Sequence, residues 1–476
     1  MRRLSLRRAA VVAALLGPSI APGLAVPRPA SAADEVRAEG PAGRVVGHGV
    51  PTAGVEACRD AIEAAAPLLA SRLPWRLPSG AKLVLHVYGD LDAYAAAMRA
   101  AGAPELADNW AATLYATHES HVVLQPRTGA ALRAVAGPLP DYTRWQLVHE
   151  AVHQVLGRAG VATYDLWPAW LEEGLCEEVA AAAVAATQPA GRVAIPDADR
   201  QHLVKEALAR GRLVGLDRLL HTRVQQFTPE RVAYAHVTSF ARFLAADAAR
   251  FRTLLERVTA APAPPPGVRA VRQAAFERVC ARLLVEVYGP LDALDARWRA
   301  AVAATTPAWF EPVRSTQWLA DGRLLVTAFP GGGAQCIATA PPPSGGYVLS
   351  GTFRLLDAGP GRQADLIVGY VQRDDPRYVK LALGADGYVT MLAYAAGYWQ
   401  ERYRVSVDVP RDTFAVGTDV AFALTVADGR LRLDVGGRTR FDAEAPPGFD
   451  VAAGAWGVGA WDGAAVFGDL KAAPRR

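Results

Sequence analysis

Sulfur is scarce in this chain of 476 residues, which holds four cysteines and three methionines. No two cysteines stand as C-x-x-C, and this excludes a zinc site built on cysteine pairs. Cys58, Cys176, Cys280 and Cys336 could form disulfides in three pairings, or remain buried thiols. Long apolar runs are missing too. Beyond the N-terminus no stretch reaches the roughly 18 residues that a membrane-spanning helix needs. Net charge is also small, with a formal value of +4. The first 32 residues carry Arg2, Arg3, Arg7, Arg8 and Arg28 and no acid, so the remainder stands at 4 − 5 = −1. A chain this close to neutral has no electrostatic footprint for nucleic acid. Internal repeats are absent. With 51% hydrophobic and 21% charged residues the chain has enough apolar surface to fold.

The N-terminus has the three parts of an export signal. A basic start precedes an apolar run, Ala9 to Leu16, and Ala30-Ser31-Ala32 offers a small-residue cleavage site. Residues 1–32 are therefore predicted to be a signal peptide, and the mature protein to be exported (secreted, periplasmic or on the cell surface) without a transmembrane segment. Gly17-Pro18 cuts the apolar run too short to span a bilayer.

Residues 33–50 read as a Gly/Pro/Ala linker. From 51 to 306 helical spacing dominates, with short β-leaning runs at Lys82–Tyr88 and His121–Gln125. Helices are predicted at Val55–Leu73, Leu91–Ala101, Tyr142–Leu156 (stopped by Gly157), Pro168–Thr187, Gln201–Arg210, Pro229–Ala245, Arg250–Val258, Val268–Glu286 and Leu291–Ala304. After Pro307 the texture changes to short Val-, Leu- and Tyr-rich runs separated by Gly, Asp and Pro, with Asp386-Gly387 and Asp428-Gly429 as hairpin turns. The fold class is thus multidomain: an α+β, mostly helical domain at 51–306, then an all-β jelly-roll sandwich at 308–472.

Chemistry concentrates in Trp145–Val179. His149-Glu150-Ala151-Val152-His153 is an H-E-x-x-H. On a helix, positions four apart share a face, so both imidazoles can reach one Zn²⁺, while Glu150 beside them can take a proton from metal-bound water. Hydrolytic zinc needs a third protein ligand and an open position. Glu172 and Glu173 follow in the block Pro168-Ala-Trp-Leu-Glu-Glu-Gly-Leu175.

These residues resemble the gluzincin metallopeptidases, zincin-like enzymes in which H-E-x-x-H is followed by a second helix with a W-L-x-E-G-like block. Trp170, Leu171, Glu173, Gly174 and Leu175 match that block. The resemblance implies one Zn²⁺ held by His149, His153 and Glu173, Glu150 as general base, and a peptide or protein substrate. Glu172 stands where related peptidases often carry Asn. Glu177 corresponds to a carboxylate that orients a ligating histidine, assigned here to His149, with Glu178 as the competitor. An oxyanion-stabilising residue is expected about sixty positions on; Tyr234 aligns with it, and His236 is second. The same resemblance suggests His121–Gln125 as the edge strand along which an extended peptide binds. No Gly-Ala-Met-Glu-Asn-like block for capturing a free amino terminus is present. His118 and His121 read as strand or turn residues, and Cys176 as a buried thiol facing a neighbouring helix.

The C-terminal half resembles concanavalin A-like jelly rolls, including laminin-G-like modules. Tyr394, Tyr398, Trp399 and Tyr403 cluster there, either stacking on sugar or filling the core between sheets. No pair of catalytic carboxylates suggests a glycosidase. The alternative to a peptidase is a carbohydrate- or cell-surface-binding protein whose metallopeptidase-like domain is catalytically silent.

Overall fold

Two architectures follow one another in a computed structural model that describes residues 35–475 apart from 115, 125–138, 189–194, 223–230, 306–308, 311–315, 320, 329–331, 339, 357–360 and 372–375. The expected signal peptide lies outside the described residues.

The first unit begins where a linker was expected. Residues 35–48 form a hairpin of β1 (Glu35–Glu39) and β2 (Gly43–His48). Glycines around Val45 and Val46 disguised it: Gly47 is there because a Cβ would collide with Val55, so small residues mark close packing and not a linker. Helix α1 (Thr52–Arg72) then leads to β3 (Leu83–Tyr88), and α2 (Leu91–Ala100) starts at Asp90, whose side chain accepts from the Ala93 amide at 2.7 Å. Strands β4 (Ala111–Leu114) and β5 (Glu119–Val123) complete a five-stranded sheet ordered β1-β2-β3-β5-β4. β2, β3 and β5 run parallel; β1 and β4 are antiparallel edges. Alternation sends Val45, Leu83, Leu85, Val87 and Val122 into the helical core. Tyr88 and Val123 face the other way, toward Tyr94 and Met98 of α2.

Among the described residues the longer helices that follow are α3 (Asp141–Arg158), α4 (Ala169–Ala185), α5 (Ile195–Ala209), α6 (Arg231–Ala245), α7 (Ala248–Ala260), α8 (Arg269–Tyr288) and α9 (Leu291–Ala304), with a single helical turn, Leu216–Leu219, between α5 and α6. Gly157 does not stop α3; the helix runs on to Arg158, and a Cβ at Gly157 would run into the ring of His118. Trp170, Phe240 and Trp298 lock α4, α6 and α9 together, with ring centroids 5.8 and 5.5 Å apart. All four cysteines are buried and outside any disulfide. Among the described residues no helix is long and apolar enough to cross a membrane.

The second unit is all-β, in two antiparallel sheets. One is ordered β18-β17-β16-β10-β20-β8-β7, the other β14-β13-β12-β11-β19-β9-β6, with β15 beside β13. The strands are β6 (Trp309–Phe310), β7 (Thr316–Trp318), β8 (Leu324–Thr327), β9 (Gly333–Ala338), β10 (Tyr347–Leu355), β11 (Gln363–Val371), β12 (Arg377–Gly384), β13 (Tyr388–Ala395), β14 (Tyr398–Trp399), β15 (Val405–Asp408), β16 (Val420–Ala427), β17 (Arg430–Val435), β18 (Arg438–Glu444), β19 (Ala455–Trp461) and β20 (Ala464–Pro474). Their inner faces pack as one core that includes Phe353, Leu366, Leu381, Leu424 and Phe467. Asp428 and Gly429, at φ 52° and 68°, make the two-residue turn between β16 and β17. The two units touch: Tyr142 of α3 and Ala198 of α5 belong to the sandwich core.

Candidate functional site

The H-E-x-x-H lies on α3, a helix buried on nearly every side. Burying His149, Glu150 and His153 in a helix core is costly unless partners satisfy them. Helix α4 crosses beside α3 and supplies those partners.

The three proposed ligands converge. His149 Nε2 lies 3.2 Å from Glu173 Oε2 and 3.2 Å from His153 Nε2, and His153 Nε2 lies 4.0 Å from Glu173 Oε1. Four donors around a tetrahedral Zn²⁺ at about 2.0–2.1 Å stand roughly 3.4 Å from one another. The far nitrogens are occupied. His149 Nδ1 is 3.2 Å from Glu177 Oε1, and His153 Nδ1 is 2.6 Å from the Tyr164 hydroxyl and 3.3 Å from Glu172 Oε1. Each ring therefore turns its Nε2 inward, where it would serve as a ligand once a cation displaces its proton. Glu173 Oε2 is buried and faces the His149 ring at 3.2 Å. A buried carboxylate beside two inward-facing imidazole nitrogens is a donor set that fits a divalent cation.

Electrostatics agree with that fit. Burial works against protonating His149, but hydrogen bonds and charge from Glu173 and Glu177 outweigh it and lift its pKa well above 6.5. Burial also opposes ionising Glu177, yet Arg200 and His149 hold it far below the usual carboxylate range. The pocket thus attracts positive charge.

Glu177 is the better-placed orienting carboxylate. Besides His149 it meets the Trp145 indole N–H (3.1 Å), Arg200 of α5 (2.8 Å) and the Thr238 hydroxyl of α6 (2.9 Å). Its competitor Glu178 instead pairs with Arg72 of α1 at 3.2 Å.

Glu150 is held from the sheet. Thr113 Oγ1 on β4 donates to Glu150 Oε2 at 2.6 Å, and Ser120 Oγ on β5 donates to the Glu150 carbonyl at 3.1 Å. The strand bordering the site is therefore β4. The expected edge, His121–Gln125, falls on β5, an interior strand that ends at Val123, with Gln125 outside the described residues. Pairing of β4 against β5 covers that edge.

On α6, Tyr234 is half-buried and His236 buried. The Tyr234 hydroxyl is pushed up first by the charge of Glu173, then by burial, Glu177 and Glu150, so it borders the acidic cluster. His236 feels none of these groups; burial and Arg299 of α9 depress it to about 4. Two residues along a helix point to different sides, and Tyr234 has the site side. Cys176 is buried, as expected, but not away from the site: its Sγ and one ring nitrogen each of His149 and His153 lie within 4.8 Å of one another. Sequence reasoning missed Thr113, Ser120, Tyr164, Arg200 and Thr238; none carries a motif or a regular spacing to the H-E-x-x-H.

In the sandwich, Tyr394 and Trp399 lie outside the inter-sheet core. They pack around Tyr378 on the outer face of the β9–β14 sheet, and Lys380 stands 4.8 Å from the Trp399 ring and 5.0 Å from that of Trp461. Tyr403 packs at the rim of the core, and Tyr398 is 61% exposed.

No family model matches the chain, and no curated protein matches it. Similar solved structures include a carbohydrate binding module from Bacillus subtilis (13% identity, 35% of this chain, 96% of that one, TM-score 0.29). A sheep galectin complexed with glycerol shares 13% identity over 28% of this chain and 92% of its own, with TM-score 0.22. A β-glucanase from Bacillus licheniformis shares 12% identity over 36% and 94%, with TM-score 0.27. The β-sandwich assignment itself rests on the strand pairings.

Proposed function

We propose that this protein is an exported, zinc-dependent peptidase of gluzincin type, acting on peptide or protein substrates. One observation carries the reading: the inward-facing Nε2 atoms of His149 and His153 and the Glu173 carboxylate oxygens meet at 3.2–4.0 Å. Export rests on the basic, apolar and small-residue order of residues 1–32.

His149, His153 and Glu173 would hold the ion. Bound there, Zn²⁺ would polarise a peptide carbonyl and acidify a water. Glu150, fixed by Thr113, takes the proton from the attacking water and passes it to the leaving amine. Tyr234 donates its hydroxyl to the oxyanion, its pKa kept high by the same carboxylates. Glu177 keeps the His149 ring in the ligating tautomer. Among the described residues no strand pairs with the outer side of β4, whose backbone groups would receive an extended substrate.

Glu150→Gln tests the reading. Zinc content should persist while cleavage of a peptide library falls about 10²–10⁴-fold, the usual contribution of a positioned base. If wild type and variant bind zinc alike and are equally inert, the silent-domain alternative takes over. That alternative draws on the sandwich: exposed Tyr398, with Trp399 and Tyr394 behind it, suits stacking on a pyranose ring. Glycan contact also fits beside peptidase activity, as a means of docking on a cell surface.

A further inference from the structure

The face of the N-terminal sheet opposite the helical core carries a second group of donor side chains. His48, His86 and His121 sit on the parallel strands β2, β3 and β5, with His86 directly across from His121. Their rings stack: centroids of His86 and His121 are 4.7 Å apart at 9°, those of His48 and His86 5.3 Å apart at 15°. Glu119, two positions before His121 and so on the same face, brings Oε2 to 3.5 Å from His86 Nε2. One ring nitrogen each of His86 and His121 and one Glu119 carboxylate oxygen lie within 4.8 Å of one another.

Polar neighbours engage the Nδ1 side of both rings. His121 Nδ1 is 2.8 Å from the Tyr88 hydroxyl, whereas His121 Nε2 is buried without any partner in a side chain only 7% exposed. A buried polar atom left so costs about 1–3 kcal/mol and calls for an explanation. His86 Nδ1 is 3.0 Å from His48 Nε2, and His48 Nδ1 is 3.8 Å from Glu35 Oε1. In the tautomers that a bound cation would select, Nδ1–H of His86 is donated to His48 and Nδ1–H of His121 to Tyr88, and both rings present a bare Nε2. This is how carboxylate- and hydroxyl-backed histidines are prepared as ligands.

We propose that His86, Glu119 and His121 form a second binding site for a divalent transition-metal ion such as Zn²⁺, distinct from the one on α3 and α4. Two imidazoles and a carboxylate suit zinc and its first-row neighbours. Donor atoms within 4.8 Å need to draw in toward the roughly 3.4 Å of a tetrahedral site, a movement that rotation of half-exposed His86 and Glu119 supplies. The bound ion ties β5 to β3. The β4–β5 hairpin carries Thr113 and Ser120, which hold Glu150 from the opposite face, so the ion stiffens the strand pair that positions Glu150.

Full-length protein stripped with a chelator and titrated with Zn²⁺ against a chromophoric competitor reads the stoichiometry. Wild type should take up two equivalents, His86→Gln/Glu119→Gln one, and His149→Ala/His153→Ala one. Glu119→Gln alone, a half-exposed change that leaves the fold undisturbed by circular dichroism, should weaken one of the two affinities by at least about tenfold. Unaltered uptake in Glu119→Gln, or a single equivalent in wild type that only the His149/His153 change removes, overturns the proposal. A single equivalent lost with Glu119→Gln would uphold it and count against the site on α3 instead.

Discussion

Thr113 is the residue on which the proposed chemistry leans most quietly. Its hydroxyl is 2.6 Å from the Glu150 carboxylate, and nothing in the sequence around it hints at a role. Thr113→Val keeps the shape and deletes the donor; a lost hydrogen bond of about 1–2 kcal/mol corresponds to roughly tenfold. kcat on a peptide substrate should fall by about that factor with KM little changed, while Thr113→Ser restores it. A change in KM alone would assign Thr113 to substrate binding. His149, His153 and Glu173 were legible because helical spacing and a block motif expose them. The choice of Glu177 over Glu178 came from the family resemblance and not from spacing, since neighbouring helix positions differ only by what surrounds them, and Arg72, which takes up Glu178, arrives from more than a hundred positions away. His236 shows the same limit. A polar residue two places from Tyr234 looked like a rival for the oxyanion, but it is buried on the far side. Its folded pKa of about 4 lies below the unfolded 6.5, chiefly through burial and secondly through Arg299. The unfolded chain then binds more protons between those values, so this contribution is intact above pH 6.5 and lost as pH falls toward 4. At 1.36 kcal/mol per unit the loss is about 3 kcal/mol. Denaturant unfolding at pH 7 and pH 4 should show wild type losing about that much more than His236→Gln; equal losses would refute it.

Elements were easiest to read where two signals coincide. The hairpin β16–β17 announced itself through alternating apolar residues and Asp428-Gly429, and it forms with Asp428 and Gly429 in the left-handed region. Strands β1 and β2 lacked a second signal: five- and six-residue runs with glycines at their ends look like linker until a sheet edge takes them up. β4 was missed for the same reason, and with it the true border of the site. On β11 and β12 the sequence hides a different feature. Asp365 and Lys380 form a 3.0 Å ion pair with both side chains 2% exposed, on the outer face of the sheet beneath Trp399 and Trp461. Burial raises the Asp365 pKa against the opposing pull of Lys380. Removing one partner strands the other: Lys380→Ala should destabilise by about 3–5 kcal/mol in urea unfolding. Asp365→Leu/Lys380→Met, which removes both charges, should recover most of that. A cost below about 1 kcal/mol for the single change would mean that water reaches the pair.

At the scale of the whole molecule the two units share α5. Its Arg200 clamps Glu177, the carboxylate behind His149, and its Ala198 sits in the sandwich core. Leu203 packs against the outer-face cluster of Ile337, Ile367, Tyr370 and Tyr378, and Lys205 bonds the Thr305 carbonyl at the junction. One helix therefore contacts both the sandwich and Glu177, the carboxylate proposed to orient a metal ligand. A chain ending at Thr305 would leave Ala198, Leu203 and Tyr142 of α3 without their apolar cover. Losing an outer-shell partner typically weakens metal binding 10–100-fold. The shortened chain should hold Zn²⁺ about tenfold more weakly than the full one, and Arg200→Ala in the full chain should reproduce that weakening with the sandwich still attached. If the shortened chain binds zinc as tightly as the full chain while Arg200→Ala does not, α5 is held by the helical unit alone, and the sandwich serves substrate or surface contact without touching the proposed catalytic centre.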